Sequence, residues 1–143
     1  MQNANVNVDE ICKVVNWYQN LSKDYTNISS LMHARKTLST YLFGLSTEMS
    51  NLRQIWKQNE FETESARRKI MVEMIDENVA VSKANEYCRM KIISFVELEN
   101  LSENEYHKLK FFIDSANDVN STLMQHISLL KKEQEILNNG GFV

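Results

Sequence analysis

The chain has 143 residues, 43% hydrophobic and 24% charged, with a formal net charge of −3, which suits one folded domain of ordinary size. It contains no proline and three glycines, whereas average usage predicts about seven prolines and about ten glycines. Because sheets need Gly and Pro in their turns, this scarcity excludes an all-β fold. It also excludes glycine-rich phosphate loops and nucleophile elbows.

The first predicted helix spans residues 8–21. Asn7 is a candidate N-cap, and Val6 is placed to pack on Ile11 as a hydrophobic staple. Apolar side chains then recur at helical spacing on one face, which predicts packing against a second helix. They are Ile11, Val14, Val15, Tyr18 and Leu21.

The second predicted helix, residues 30–57, carries leucines at steps of seven, the pattern of a coiled-coil seam. They are Leu31, Leu38, Leu45 and Leu52. Gly44 lies off this seam, where it either admits the close approach of the first helix or is an ordinary surface glycine. The leucine pattern stops near Asn59, which with Glu62 forms a possible new cap, so we expect a break there. The alternative is one continuous helix over residues 30–99.

The third predicted helix, residues 61–99, has a wide apolar stripe that includes Cys88, so we expect this thiol to be buried and reduced. The fourth, residues 102–138, begins at a capping box in which Ser102 and Glu105 satisfy each other's backbone amides, with Leu101 as the staple. Only residues 100–101 separate the two helices. A connection that short predicts an antiparallel hairpin over 61–138.

These elements predict an all-α fold, a single helical domain over residues 1–143. We expect an elongated antiparallel helical bundle or coiled coil of three to four helices.

The fourth helix has the most regular seam, with steps of four and three throughout, and we assign it as the surface for oligomerisation or partner binding. Its proposed contact residues are Leu109, Ile113, Asn120, Leu123, Ile127, Leu130, Gln134 and Leu137. Polar residues in a seam cost stability and are tolerated where they fix register or oligomeric state, so Asn120 and Gln134 favour a homo-oligomer, with a dimer preferred. Whether the seam at Asn120 closes within one chain or between chains stays open.

Residue patterns for catalysis or metal binding are weak. None of His33, His107 and His126 has Glu three residues before it, as a ferritin-like metal site requires. Four carboxylates surround the predicted turn, where helix capping explains them without chemistry. They are Glu97, Glu99, Glu103 and Glu105. We therefore expect no enzymatic activity, no metal and no cofactor.

The densest basic run is Arg67, Arg68 and Lys69. Glu64 precedes Arg68 by four residues, so an ordinary salt-bridged face is the main interpretation, and contact with phosphates or an acidic partner is the other. The overall charge is too balanced for a large non-specific DNA-binding surface. With neither a basic leader nor an apolar run of membrane-spanning length, we expect a cytoplasmic protein that does not contact membranes.

Residues 64–133 resemble small helical coiled-coil proteins of tailed phages and prophages. The residues that carry the resemblance are Ala66, Arg67, Ala84, Tyr87, Tyr106, Leu109, Lys110, Ser115, Asp118, Val119, Leu123, Ile127, Leu130, Lys131, Lys132 and Glu133. The resemblance implies an accessory protein, or an inhibitor of host defence, in the host cytoplasm.

The expected function is therefore that of a non-enzymatic helical protein that acts through protein–protein contacts and self-associates. The alternative is an accessory nucleic-acid-binding protein of phage recombination or replication that uses the basic helix face, with weak binding to the nucleic acid.

Overall fold

The computed structural model describes residues 2–140, and the side chains of residues 4–140. This range is helical and contains no strand, which confirms the all-α bundle. It forms four helices: α1 (Gln2–Gln19), α2 (Ile28–Asp76), α3 (Val81–Lys91) and α4 (Ile93–Gly140).

Helix α1 begins earlier than predicted, so the assignment of Asn7 as an N-cap is wrong. The residue lies inside the helix, and its side chain faces Gly44 of α2. A Cβ atom built on Gly44 would lie 2.8 Å from Asn7 Nδ2, so Gly44 is where α1 approaches α2 closely. Helix α2 begins after Asn27, whose Oδ1 accepts a hydrogen bond from the Ser30 amide at 3.1 Å.

The predicted break near Asn59 is also wrong, because α2 continues through this position to Asp76. The single-helix alternative over 30–99 is likewise wrong, because the chain reverses at residues 77–80. Asn78 there has φ 54°, a left-handed conformation that Asn adopts more readily than most residues. The Val79 amide donates to the Met74 carbonyl and the Asn78 amide to the Ile75 carbonyl, which is the Schellman pattern of a helix C-terminus.

The turn predicted at residues 100–101 is absent, and α4 passes through it without interruption. Ser102 is buried, and its hydroxyl lies 2.9 Å from the carbonyl oxygens of both Leu98 and Glu99, so it donates to the preceding turn of the same helix instead of capping a new one. Leu101, the predicted staple, is exposed. The helix is interrupted earlier, at Ile92 between α3 and α4. The Ile92 amide donates to the Cys88 carbonyl.

Two compact units divide the chain, and α2 and α4 each contribute to both. The described part of the first comprises residues 2–48 and 111–140, where α1 packs against the first part of α2 and the last part of α4. Asn7 and Trp17 of α1 lie near Gly44 and Ser30 of α2 respectively, so these two helices are antiparallel. Its fully buried side chains are Ile11, Leu31, Leu38, Leu45 and Leu123.

The second unit, Met49–Lys110, is an antiparallel hairpin of α2 against α3 and the beginning of α4. Asn59 Nδ2 donates to Ser102 Oγ at 3.0 Å, and Cys88 Sγ lies 3.8 Å from the Arg67 carbonyl oxygen. Cys88 is buried, as its place on the apolar stripe predicts. The hairpin predicted over 61–138, with its turn at 100–101, is therefore wrong, because α4 is continuous there and the chain reverses at 77–80 instead.

Leu123→Asp tests the core of the first unit. Replacing a fully buried leucine loses about 2–5 kcal/mol from the cavity alone, and a buried unpaired carboxylate adds to that cost. We expect cooperative thermal unfolding, followed by circular dichroism, to shift far downward or disappear. Lys131→Ala, on an exposed position of the same helix, is the control and leaves the melting curve unchanged. An unchanged curve for Leu123→Asp would contradict the assigned core.

A double-mutant cycle tests the contact between α1 and α2. Gly44→Ala gains about 1 kcal/mol of helix propensity, but its methyl group meets the Asn7 amide. We expect the gain in unfolding free energy, measured by urea denaturation, to be larger in an Asn7→Ala background, where that amide is gone. Equal gains in both backgrounds would show that the two residues do not touch.

Candidate interaction surfaces

The structure uses most of the predicted α4 seam inside the chain. Ile113, Leu123 and Ile127 are buried, and Leu109 and Leu130 are partly buried. Only Gln134 and Leu137, at the end of the helix, are exposed. A second protein therefore has access to the last part of the seam without any rearrangement of the core.

Asn120 closes its part of the seam within one chain. Its Nδ2 donates to Ser39 Oγ of α2 at 3.1 Å, while its Oδ1 is buried and accepts no hydrogen bond. The amide thus makes one of the four hydrogen bonds open to it, and that bond is to a helix of the same unit.

Helix α1 lies along one flank of the seam in the first unit. On α2 it faces positions that include Ala34, Thr37 and Gly44. On α4, Phe112, Ser115 and Val119 line a groove shared with Ile11 and Val15 of α1. In a heptad lettered a to g, the seam residues of α2 and α4 occupy positions a and d. The residues that face α1 occupy positions c and g, which lie together on one side of that seam.

Tyr18 and His126 join α1 to α4 at the other end of this flank. The Tyr18 hydroxyl lies 3.3 Å from His126 Nδ1 and donates to it when the imidazole carries its proton on Nε2. Burial raises the pKa of Tyr18, because the phenolate loses its hydration there.

The second unit leaves its own c and g positions uncovered, and three of them carry large apolar side chains. Ile55 lies three heptads after Ala34, and Leu98 and Leu101 lie two heptads before Phe112 and Ser115. These side chains are 51%, 55% and 57% exposed, respectively. We call Ile55, Leu98 and Leu101 the open flank. Sequence reasoning missed this surface, because it assigned Leu101 to a hydrophobic staple at a turn that the structure does not contain.

Ion pairs occupy the opposite side of the second unit. Lys57 Nζ lies 2.9 Å from a Glu60 carboxylate oxygen. Glu64 contacts Arg67 at 3.5 Å and Arg68 at 3.3 Å, which confirms the salt-bridged interpretation of this basic run. Lys69 is exposed. Because Glu64 offsets part of the positive charge, the face is a weaker phosphate-binding surface than its sequence indicates.

An aromatic cluster fills the seam of the second unit. Trp56 stacks on Tyr106 with ring centroids 5.4 Å apart, and the Lys57 ammonium lies 4.2 Å from the Trp56 ring centroid. The Trp56 indole N–H is buried and donates to no acceptor. His107 also contacts the cluster and lies 3.6 Å from a Glu103 carboxylate oxygen.

The remaining candidate residues are dispersed. His33 and His107 are exposed, and His126 is the partner of Tyr18. In the part of the chain that the structure describes, no group of three or more His, Cys, Asp or Glu side chains is arranged to hold a metal ion. The carboxylates predicted to cap a turn lie instead along the uninterrupted α4, with Glu97 and Glu105 exposed beside the open flank.

Comparison with known proteins adds no relative: no family model, curated protein or solved structure matches the chain. Among the described helices, none has the length and apolar character needed to cross a membrane.

Tyr18→Phe tests the link between α1 and α4. The pKa of Tyr18 is raised above its usual value near 10. The contribution of the neutral phenol to the free energy of unfolding is therefore complete below about pH 10. It falls at higher pH, because Tyr18 ionises at a lower pH in the unfolded chain than in the folded one. We expect urea denaturation to show wild type losing its advantage over Tyr18→Phe as the pH rises from about 9 to about 11. At neutral pH the variant loses about 0.5–1.5 kcal/mol with the hydrogen bond. A constant difference across this pH range would contradict the burial of the phenol.

Proposed function

We propose that the protein acts by binding other proteins rather than by catalysis, and that it self-associates as a dimer through the end of α4. The observation that carries this proposal is the exposure of every residue at positions 131–140 of that helix. Ile136 and Leu137 there are 70% and 75% exposed.

The last turns of α4 leave two large apolar side chains, Ile136 and Leu137, in water. Tertiary packing of an apolar face provides most of the stability of helices in proteins, and this end of α4 has no such packing among the described residues. Burying a leucine or isoleucine side chain contributes about 1.5–3 kcal/mol. A two-fold axis uses each contact twice, so pairing of two such ends would bury two copies each of Ile136 and Leu137.

Gln134 gives such a pairing its register. It continues the seam between Leu130 and Leu137, and its exposed amide is free to bond across a two-fold axis. The buried seam residues before it already pack within the chain, so self-association through this end requires no change in the core.

The resemblance of residues 64–133 to small helical phage proteins supports a role for this function in the host of a phage. We propose an accessory or inhibitory role in which the further partner is a protein of the host.

Light scattering across a dilution series tests self-association. We expect twice the chain mass at high concentration and a return toward the monomer on dilution. Leu137→Asp should give a monomer throughout, because it places a carboxylate in the paired surface, while its thermal unfolding in the monomer range stays unchanged.

Asn139→Asp is the matched control, since it adds the same charge at an exposed f position, on the side of α4 that faces away from the seam. It should retain the dimer. Wild type that stays monomeric at every concentration, or a dimer that survives Leu137→Asp, would contradict the proposal.

A further inference from the structure

In the first unit, α2 and α4 contact α1 through their c and g positions. The open flank occupies the same heptad positions of α2 and α4 in the second unit. The seam repeats every seven residues along both helices: α2 buries or partly buries Leu52, Trp56, Asn59, Thr63 and Ala66, and α4 does so with Glu99, Ser102, Tyr106, Leu109 and Ile113. The c and g positions therefore keep the same relation to the seam throughout. In the first unit a third helix covers them, and in the second Ile55, Leu98 and Leu101 remain more than half exposed.

The two sides of the second unit differ in chemistry. One side carries the ion pairs of Lys57, Glu64 and Glu103. The open flank instead has apolar side chains, and a shallow depression on α2 adjoins one of them, lined by Gln54, Ile55, Gln58 and Asn59. An apolar row on one side of a hairpin, with charges on the other, is typical of a helix-binding surface.

The charges nearest the open flank are negative. Over residues 54–65 of α2 and 94–105 of α4, the c, f and g positions carry Glu62, Glu97 and Glu105, and the next basic residues at these positions, Arg68, Lys69 and Lys108, lie beyond that range. Glu62 accepts a hydrogen bond from the neutral Gln58 amide at 3.2 Å, which leaves its charge uncompensated. A complementary helix therefore needs positive charge beside its apolar stripe.

We propose that the open flank binds a basic amphipathic helix of a partner protein, parallel to α4 and antiparallel to α2, as α1 lies in the first unit. Among the described helices, neither α1 nor the exposed end of α4 has this character. Near its middle α1 carries Asp9 and Glu10 against Lys13, and the exposed end of α4 balances Lys131 and Lys132 with Glu133 and Glu135. The inference rests on the proposed function only in that the partner is a protein, because it uses none of the residues at the α4 end.

Two synthetic helical peptides of about 20 residues, long enough to form helix, serve as probes. Both carry leucines at steps of three and four, one with lysine and arginine beside this stripe and the other with glutamate at the same positions. Binding to the full chain is followed by fluorescence anisotropy. We expect the basic peptide to bind at least about tenfold more tightly than the acidic one, with affinity falling as salt is added.

Matched variants locate the site. Leu98→Ser should weaken binding of the basic peptide about tenfold or more, whereas Ile93→Ser, which removes an apolar side chain of similar 52% exposure elsewhere on α4, should leave it unchanged. Glu105→Lys should reduce the preference for the basic peptide. Glu60→Lys makes the same charge reversal on the ion-paired side and should not.

Three outcomes would overturn the inference: equal affinity for the two peptides, no binding of either, or equal effects of Leu98→Ser and Ile93→Ser. A loss of dimer in Leu98→Ser would show that a second copy covers the flank instead. Because Leu137→Asp alters only self-association, peptide binding retained in that variant separates a failure of the dimer from a failure of this site.

Discussion

The antiparallel pairing of α2 with α3 and α4 is the interaction on which both units depend. The seams of α2 and α4 face each other within the chain, so most of the α4 side chains expected to bind a second copy are already buried or partly buried. Leu123 and Leu38, fully buried in the first unit, show this most clearly. The surfaces that we propose for partner binding are accordingly ones that the seam does not use, namely the end of α4 and the flank positions beside the seam.

Two polar pairs fix the register of this seam, one in each unit. Asn59 of α2 bonds to Ser102 of α4, and Asn120 of α4 bonds to Ser39 of α2. Sliding one helix by a heptad would separate each amide from its hydroxyl, and an unpaired polar group costs about 1–3 kcal/mol where it is buried, as Ser102 is. Leucine heptads alone tolerate such slips, so the asparagines supply the specificity that the apolar contacts lack.

The helical class and most core positions follow from the sequence, because spacing in steps of three and four directly reports which side of a helix is buried. The helix ends do not follow, since the same residues serve two purposes. Asn59 and Ser102 both have capping chemistry, yet the structure uses them as a cross-seam pair. The actual reversal depends on Asn78 in a left-handed conformation, a signal no stronger in the sequence than the other asparagines nearby.

The open flank is a further case in which local pattern is insufficient. Leu98 and Leu101 are identified as part of a candidate binding surface only because α1 covers the equivalent positions of α2 and α4 in the first unit. A hairpin of two helices buries less apolar surface per residue than three packed helices, so the second unit has more to gain from a third helix. A ligand that binds only the folded state adds stability in proportion to the logarithm of its concentration over Kd. A bound partner helix would therefore complete the packing of the hairpin at the positions where the chain itself provides no cover.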